Sequence, residues 1–539
     1  MVAADHCDHL RISGSRAHPA LLVFTRIIPS SQTRFFLGSK GSYGFLTHVP
    51  PLKVLFVSPE VEPFIKVGGL ADMVGSLPKA LVALGHDVRI VMPAYGSLKR
   101  DSSWHARPDP LGVDVGTEAH WARTWENVLP GSKVHVYALE HEGFFGRPEV
   151  YAGPGGNFPD NDLRFAFLCR GALNLCLQLG WIPDVVHCHD WTTGLLPLLL
   201  NTTLRHTPLG QTASVFTIHN LEHQGYADRR VLAFAHIPPD EFRTDSTESV
   251  GAVNQMKAGL YHATKLTTVS PTYAEEIKAP AGGFGLDHVL RYRAADLLGI
   301  VNGIDTIAWN PAMDKYLPRP YNQRSLGAGK VLAKAALQAR LDLDLDPHIA
   351  LFGVVSRFAS QKGLDLLAEA LPHVIERMHV QFAILGAGDP GLEHLFRWAA
   401  EQYPGRIGLH VGYDNSLAHL IQAGSDLFVM PSRSEPCGLT QMYAMRYGTP
   451  PLVRSTGGLI DTVTQYVEGQ PVGTGFRFND ATAPALYNTL GWACATYYDR
   501  PAEFQALRLR GMNQDFGWDV SARRYEELYH WAVAARRGT

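Results

Sequence analysis

Short apolar segments rich in Val and Ile alternate with helical patterns along most of this chain. The first, "KVLFVS" (53–58), precedes the helical pattern "LADMVGSLPKALVALG" (70–85), and "HDVRIVMP" (86–93) follows it. "PDVVHCHD", "SVFTIHN" and "KLTTVS" continue the series. Runs without apolar–polar alternation are typical of strands buried on both faces of a parallel sheet. The order therefore predicts an α/β fold with a doubly wound sheet.

The same pattern restarts in the second half of the chain, with "IALFGVVSR" (349–357), "VQFAILGAGD" (380–389) and "DLFVMPS" (426–432) as further strands. We therefore expect two Rossmann-like domains, 51–302 and 303–515, with a ligand in the cleft outside the carboxyl ends of their strands. Residues 516–539 contain an amphipathic pattern, which predicts a helix that crosses back to the first domain. Residues 1–50 lack periodicity and predict a disordered extension, a start assigned too early or, alternatively, an organelle transit peptide.

Composition excludes several classes of function. The 539 residues are 46% hydrophobic and 18% charged, as in globular proteins, and the net charge is −3. This balance gives no electrostatic basis for binding nucleic acid or an anionic membrane, and no apolar run reaches about 18 residues. The six cysteines are scattered without a C-x-x-C pair, so we expect a reducing, cytoplasmic location.

A lysine before a glycine pair marks the first candidate site. Lys66, Gly68 and Gly69 lie between the first strand and the first helix. Glycines let backbone N–H groups approach a ligand, and a helix N-terminus favours negative charge, so the loop suits phosphate. It is neither the dinucleotide fingerprint nor the Walker loop, which argues against an NAD enzyme. A tight turn with a solvated lysine is the alternative.

Two further loops carry charged residues at the predicted cleft. Arg357 and Lys362 follow one strand within a single loop, and such a pair suits a diphosphate. Glu435 follows another strand, and Leu439 and Thr440 begin a helix whose free N–H groups could bind phosphate. For Glu435 the alternative is a surface carboxylate or a partner of the helix dipole.

The segment "HCHDW" (187–191) places two histidines on one face of a strand. The two histidines and a nearby acid could suggest a metal site, but Asp190 lies on the opposite face of the strand, so the third ligand is missing and the strand looks buried. Asp190, at the strand end, is the better candidate for a substrate contact. His219 ends another strand in the same way, with a hydrogen-bonded core histidine as the alternative.

Together these segments resemble one family. "KVGGLADMVGSLP", "VVHCHDW", "TIHN", "GIVNGID", "SRFASQKG" and "PSRSEPCGLTQMYAMRYGTPPLVRSTGGL" are similar, in this order, to motifs of bacterial glycogen synthases and starch synthases. These are retaining glycosyltransferases of family 5 with the GT-B architecture, in which two Rossmann-like domains face each other across a deep cleft. The resemblance runs from Lys53 to about Trp531. Many other retaining GT-B enzymes have a second glutamate eight residues after the first. That position is Tyr443 here, and in this departure the sequence looks like family 5.

The resemblance implies transfer of glucose from ADP-glucose to the non-reducing end of glycogen or another α-1,4-glucan, without a cofactor. No Asp-x-Asp metal motif lies in a plausible place, so we expect no divalent cation. It assigns catalytic roles to five residues and substrate contacts to ten, with Lys66, Gly68, Gly69, Arg357 and Lys362 around the diphosphate. The catalytic set is Arg357, Lys362, Glu435, Asp190 and His219. The substrate-binding set is Lys66, Gly68, Gly69, Asp72, Asn302, Tyr413, Cys437, Leu439, Thr440 and Glu60.

Two mechanistic expectations and two rivals accompany this assignment. We expect the leaving phosphate to accept the acceptor's proton on the same face of the sugar, and the two domains to close over the ligand. UDP-glucose or another acceptor is the alternative within enzymes. A catalytically inactive glucan-binding scaffold is the alternative outside them, although Lys66, Arg357, Lys362 and Glu435 are all present.

Overall fold

A computed structural model describes residues 50–538, and the predictions made for residues 1–49 lie outside this range. The first half of the described chain builds a ten-stranded sheet in the order β15-β14-β10-β9-β1-β2-β6-β5-β3, with β4 paired to β5. Two small sheets, β11-β13-β12 and β7-β8, lie outside it. The strands are β1 Lys53–Val57, β2 Asp87–Pro93, β3 His105–Ala106, β4 Leu111–Val115, β5 Glu118–Val128, β6 His135–Glu140, β7 Ala152–Gly153, β8 Gly156–Asn157, β9 Val185–His189, β10 Ala213–Ile218, β11 Tyr226–Ala227, β12 Glu248–Ser249, β13 Ala252–Asn254, β14 Lys265–Thr268 and β15 Leu297–Gly299.

The second half builds a six-stranded, wholly parallel sheet in the order β18-β17-β16-β19-β20-β21. Its strands are β16 Ala350–Val355, β17 Val380–Gly386, β18 Ile407–Val411, β19 Leu427–Met430, β20 Pro451–Arg454 and β21 Phe476–Phe478. The strands of its centre are buried along their length, as the continuous apolar runs predict. The α/β class and the two Rossmann-like sheets are therefore confirmed, whereas the domain boundaries near residues 302 and 515 stay predictions.

Helices cover the sheets and fill the connections between parallel strands, as right-handed β-α-β crossovers require. In the first half they are α1 Gly69–Ala83, α2 Glu142–Phe145, α3 Asn161–Gln178, α4 Leu195–Asn201, α5 Arg230–Phe234, α6 Gln255–His262, α7 Pro271–Glu276, α8 Pro280–Gly283 and α9 Asp287–Tyr292. In the second half they are α10 Leu326–Arg340, α11 Leu364–Arg377, α12 Pro390–Gln402, α13 Asn415–Gly424, α14 Thr440–Arg446, α15 Gly457–Thr462, α16 Ala483–Asp499, α17 Pro501–Met512 and α18 Trp518–Arg537.

One edge of the first sheet differs from the parallel pattern. Strands β3 to β6 pair antiparallel with one another, although β6 still pairs parallel with β2. The burial of β4 alternates strictly along its five residues, because only one of its faces packs on the core. Strands β3 to β5 were not predicted from the sequence because they contain no continuous apolar run, and the short apolar run of β6 was missed as well.

The last helix packs on the first sheet rather than the second. Tyr525 and Tyr529 of α18 are fully buried, and the Tyr529 hydroxyl lies 2.7 Å from Nδ1 of His187 on β9. Ser521 of α18 donates to the carbonyl of Val301 at 2.6 Å, and Glu526 lies 3.1 Å from His86. The helix is thereby anchored along its length to the first half of the chain.

Candidate active site

A cavity of about 1350 Å³ lies between the carboxyl ends of the two sets of parallel strands. Every residue predicted for the site lines it, although these residues are spread over 380 positions of sequence from Glu60 to Thr440. The strands that deliver them are β1, β9, β10 and β15 from one sheet and β16, β18 and β19 from the other. The fold therefore brings the whole predicted set together. Which of these residues bind and which catalyse stays a prediction.

Lys66 lies at one wall of this cavity with its side chain 41% exposed. Its ammonium is 2.6 Å from the carboxylate of Asp72 on α1 and 3.8 Å from that of Glu62. Partial burial lowers the pKa of Lys66, but the Asp72 carboxylate outweighs this and leaves the pKa raised. The ammonium is thus charged and held at the cavity by Asp72. Asp72, predicted as a substrate contact, therefore also positions Lys66.

Glu60 organises the loop that contains the glycine pair. One carboxylate oxygen accepts the N–H groups of Val67 and Gly68 at 2.6 and 2.9 Å, and the other accepts the hydroxyl of Tyr151 at 2.6 Å. Glu60 is only 3% exposed, so this buried charge is stabilised by three donors. The N–H of Gly68 is consequently already paired within the protein, although Lys66, Gly68 and Gly69 all line the cavity.

Asp190 and His219 form a second group, delivered by neighbouring strands. Asp190 follows β9 with φ of 51°, a left-handed conformation that few non-glycine residues adopt. Its carboxylate accepts the backbone N–H of His219 at 2.7 Å. Burial raises the pKa of Asp190 to about 7 and lowers that of His219 to about 3. A neutral imidazole beside a carboxyl group that titrates near neutrality is an arrangement typical of functional sites.

His187 and His189 lie on one face of β9, with ring centroids 4.4 Å apart, as the strand spacing predicted. His187 is paired on both sides, with Tyr529 and with Thr217. His189 lies 3.1 Å from His219. Within residues 50–538 no cluster of three metal-ligating side chains is found, so the metal interpretation gains no support from the geometry.

The second half of the chain supplies the remaining cations. Lys362 forms an ion pair with Glu435, with 2.7 Å between Nζ and Oε2, and both side chains are largely buried. Arg357 is exposed at the same edge of β16. These two cations and Lys66 line one cavity from opposite sides, which is an electrostatic arrangement suited to a diphosphate.

The remaining predicted contacts lie nearby. Cys437 is buried, which raises the pKa of its thiol to about 12 and keeps it neutral. Asn302 is 5% exposed and its Oδ1 has no partner among the described residues. Tyr413 is 86% exposed at the cavity, and Leu439 and Thr440 form the start of α14. Each of these side chains is placed where a ligand could contact it.

Sequence reasoning missed an aromatic wall of the cavity. The ring of Trp309 is stacked between those of His419 and Tyr443, with centroid distances of 3.8 and 3.9 Å. Trp309 and Tyr443 line the cavity. At the position where many other retaining GT-B enzymes have a glutamate, Tyr443 therefore stacks on Trp309 and forms part of the cavity wall. Tyr151 and Trp191 line it as well. Trp191 and Tyr443 lie within motifs already recognised and Trp309 follows one closely, whereas no motif pointed to Tyr151.

Comparison with known proteins identifies the family. Residues 53–292 match the model of the starch synthase catalytic domain, and residues 337–488 match that of glycosyl transferases group 1. Glycogen synthase 1 of Geobacter metallireducens is 45% identical over 490 residues, covering 90% of this chain and 97% of that protein. The chain belongs to the glycogen synthase family. Glycogen synthase of Treponema denticola is 42% identical over 487 residues, covering 89% of this chain and 99% of its own.

A solved structure agrees with this family assignment. The catalytic domain of starch synthase IV from Arabidopsis thaliana, bound to ADP and acarbose, superposes with a TM-score of 0.84 at 35% identity. The match covers 90% of this chain and all of that one. The predicted GT-B architecture and the glycosyltransferase class are therefore confirmed. The predicted glycogen synthase function is confirmed as well. In residues 50–538, no helix has the length and apolar character needed to cross a bilayer.

Proposed function

We propose that this member of the glycogen synthase family transfers glucose from ADP-glucose to the non-reducing end of an α-1,4-glucan such as glycogen, with retention of configuration and release of ADP. The observation that carries the proposal is the convergence of Lys66, Arg357 and Lys362 on one cavity that also contains Glu435 and Asp190. ADP as the nucleotide is supported by the ADP present in the Arabidopsis starch synthase structure, and a glucan acceptor by the acarbose bound there.

The chemical difficulty of this reaction is the departure of a diphosphate on which negative charge grows. Cations positioned at the cavity before the reaction stabilise that charge with little reorganisation, each by about 2–4 kcal/mol. The Asp72 and Glu435 carboxylates hold two of them through ion pairs of 2.6 and 2.7 Å. Lys66, Arg357 and Lys362 are therefore assigned to the leaving group.

The sugar end of the cavity is assigned to Asp190, His219 and Glu435 as binders of hydroxyl groups. Glu435 is committed to Lys362 and to the Ser432 hydroxyl at 3.0 Å, which makes it a poor covalent nucleophile. We therefore retain the same-face reaction, in which the bond from the anomeric carbon to the phosphate breaks while the acceptor oxygen bonds to that carbon and its proton passes to the leaving phosphate. Isolation of a glucosyl ester on any carboxylate would contradict it.

The test is release of ADP or UDP from purified protein given glycogen and either ADP-glucose or UDP-glucose, with EDTA present. We expect turnover with ADP-glucose that is lost in Lys66→Ala and kept in Lys133→Ala, an exposed lysine remote from the cavity. Turnover with UDP-glucose alone would overturn the donor assignment. No turnover with either donor would favour the alternative of a catalytically inactive glucan-binding scaffold. The proposal includes a cytoplasmic location, which cell fractionation checks; the five described cysteines are free thiols, as a reducing compartment requires.

A further inference from the structure

A buried histidine stands directly behind the histidine that lines the cavity. Nδ1 of His189 lies 3.1 Å from Nε2 of His219. His189 is fully buried on β9, and the Asp190 that follows it accepts the backbone N–H of His219. The two rings, with centroids 5.3 Å apart, are thus fixed relative to each other by a side-chain contact and a backbone contact.

Two ring nitrogens at hydrogen-bond distance must share one proton. Burial lowers the pKa of His189 well below its ordinary value and that of His219 to about 3, so both rings are neutral near pH 7. A neutral imidazole has one N–H and one lone pair. One ring therefore donates and the other accepts, and the tautomer of either ring determines that of the other.

The far side of His189 decides between the two arrangements. Its Nε2 is buried without a hydrogen-bond partner among the described residues, and the centroid of its ring lies 5.7 Å from that of the Phe56 ring. If His219 donated, His189 would carry its proton on Nε2, as a buried N–H without an acceptor. If His189 donates from Nδ1, the unpaired group is only a lone pair. Orphaned buried N–H groups are the rarer of the two, so the second arrangement is favoured.

The His219 ring lies between His189 and the cavity. Its Nε2 is occupied by His189, and its Nδ1 has no protein partner in the part of the chain that the structure describes. We propose that His189 is a positioning residue that fixes the tautomer of His219, so that His219 presents an N–H donor to a hydroxyl oxygen of the sugar in the cavity. The identity of that sugar rests on the proposed function, whereas the tautomer does not.

His187 provides the internal contrast. Both of its nitrogens are paired within the protein, with the Tyr529 hydroxyl at 2.7 Å and the Thr217 hydroxyl at 2.6 Å. It has no hydrogen bond to a residue of the cavity and is fully buried in the core. Of the two histidines, only His189 is therefore hydrogen-bonded to a residue that lines the cavity. His187 contributes to packing in the core, whereas His189 contacts His219.

The direct test is nitrogen NMR of the full chain labelled at histidine, without any substrate, with His219→Gln used to assign the signals of His219. We expect His219 to be protonated on Nδ1 and His189 also on Nδ1 between pH 6.5 and 8. Protonation of His219 on Nε2 would overturn the proposal. Because no substrate is needed, this result is independent of whether ADP-glucose is the donor.

Two substitutions test the consequence for the reaction. His189→Asn can keep an N–H near the position of Nδ1, whereas His189→Leu keeps apolar volume without a donor. We expect His189→Leu to lower kcat about ten- to a hundredfold, as for partners that fix a histidine tautomer elsewhere, and to leave His219 as a mixture of tautomers. His189→Asn should recover most of that loss.

The result that would contradict this consequence is equal activity in wild type and His189→Leu, or an unchanged His219 signal in that variant. Equal loss in both variants, with both folded by circular dichroism, would assign His189 to packing alone. If His189→Leu does not fold, the wild-type tautomer and the activity of His189→Asn still decide the proposal.

Discussion

Lys362 and Glu435 form an ion pair of 2.7 Å although they lie 73 positions apart in the sequence. They follow β16 and β19, which are neighbours in the second sheet. The pair directs the ammonium at the cavity and stabilises a carboxylate that is only 6% exposed. Two residues that seemed separate in the sequence therefore act as one unit.

This relationship predicts a large effect of Lys362→Ala on the chemical step. Loss of one preorganised cation should lower kcat about a hundred- to a thousandfold, because charge that develops on the leaving diphosphate is no longer stabilised. Steady-state kinetics with ADP-glucose and glycogen measure it. Lys133→Ala, at an exposed position, is the control and should match wild type. A Lys362→Ala enzyme with normal kcat would remove Lys362 from the catalytic set.

The three-donor environment of Glu60 predicts that the Tyr151 hydroxyl positions the Lys66 loop. Tyr151→Phe removes a hydrogen bond to a buried carboxylate, worth about 1.5–3 kcal/mol. We expect faster proteolysis of the 60–68 segment and a raised KM for the nucleotide sugar. Tyr292→Phe, whose side chain is 77% exposed, is the matched control. Equal protease sensitivity in the two variants would show that Glu60 holds the loop without Tyr151.

Asp190 predicts an unusual pH dependence of stability. Its pKa is raised from 3.8 to about 7, so the folded state holds this proton more strongly than the unfolded chain. The contribution of Asp190 to the free energy of unfolding is therefore complete below about pH 4 and is lost as the pH rises through 7. The buried histidines, whose pKa values are lowered, act in the opposite direction.

Comparison of wild type with Asp190→Asn separates Asp190 from these histidines. Melting temperatures are measured by calorimetry from pH 4 to 8. The melting temperature of the variant minus that of wild type should increase as the pH rises. A difference that stays constant across this range would show that Asp190 titrates near its ordinary pKa.

Gly457 predicts a strict requirement for glycine behind Glu435. Its φ is 44°, and a Cβ atom added there would lie 2.1 Å from the carbonyl oxygen of Glu435. Gly457→Ala should displace the loop of Glu435 and abolish most activity. Gly327→Ala, in open space on α10, should leave activity unchanged and can raise stability by about 0.4–1 kcal/mol. Comparable activity in both variants would show that the loop adapts without cost.

Contacts between α7 and α15 predict how the two halves are held together. Glu276 accepts the N–H of Gly457 at 2.9 Å, and Asp461 accepts that of Thr272 at 2.9 Å. The double variant Glu276→Ala, Asp461→Ala should open the cleft, seen as a larger radius of gyration in solution scattering without ligand. Addition of ADP should restore compaction in part. An unchanged radius would show that these contacts do not determine the width of the cleft.

Most of the architecture could be predicted because it rests on local signals. Continuous apolar runs predicted parallel strands, and the residues directly after them predicted the cavity, since carboxyl ends of parallel strands share one edge. Strands β4 and β5 of the antiparallel edge were missed, because half-exposed strands have weak apolar runs. The predictive signal was thus burial on both faces.

The hydrogen-bond partners of the site could not be predicted. Tyr151 lies 91 positions from Glu60, and His219 lies 30 positions from His189. Such pairs are set by how strands and loops stack in space, and periodicity carries no information about them. The sequence thus predicted part of the cavity lining, whereas the structure adds the aromatic side chains and shows which lining residues are hydrogen-bonded to one another.

The anchoring of α18 has a consequence for the order in which the molecule is made. Tyr529 reaches His187 across 342 positions, and Tyr525 beside it is fully buried against the first sheet. Chains fold in part during synthesis, N-terminal segments first. Here the first sheet to emerge lacks one of its covering helices until α18 has been made, which is after all strands of the second sheet. The first half of the chain is therefore completed only after the second sheet has been synthesised.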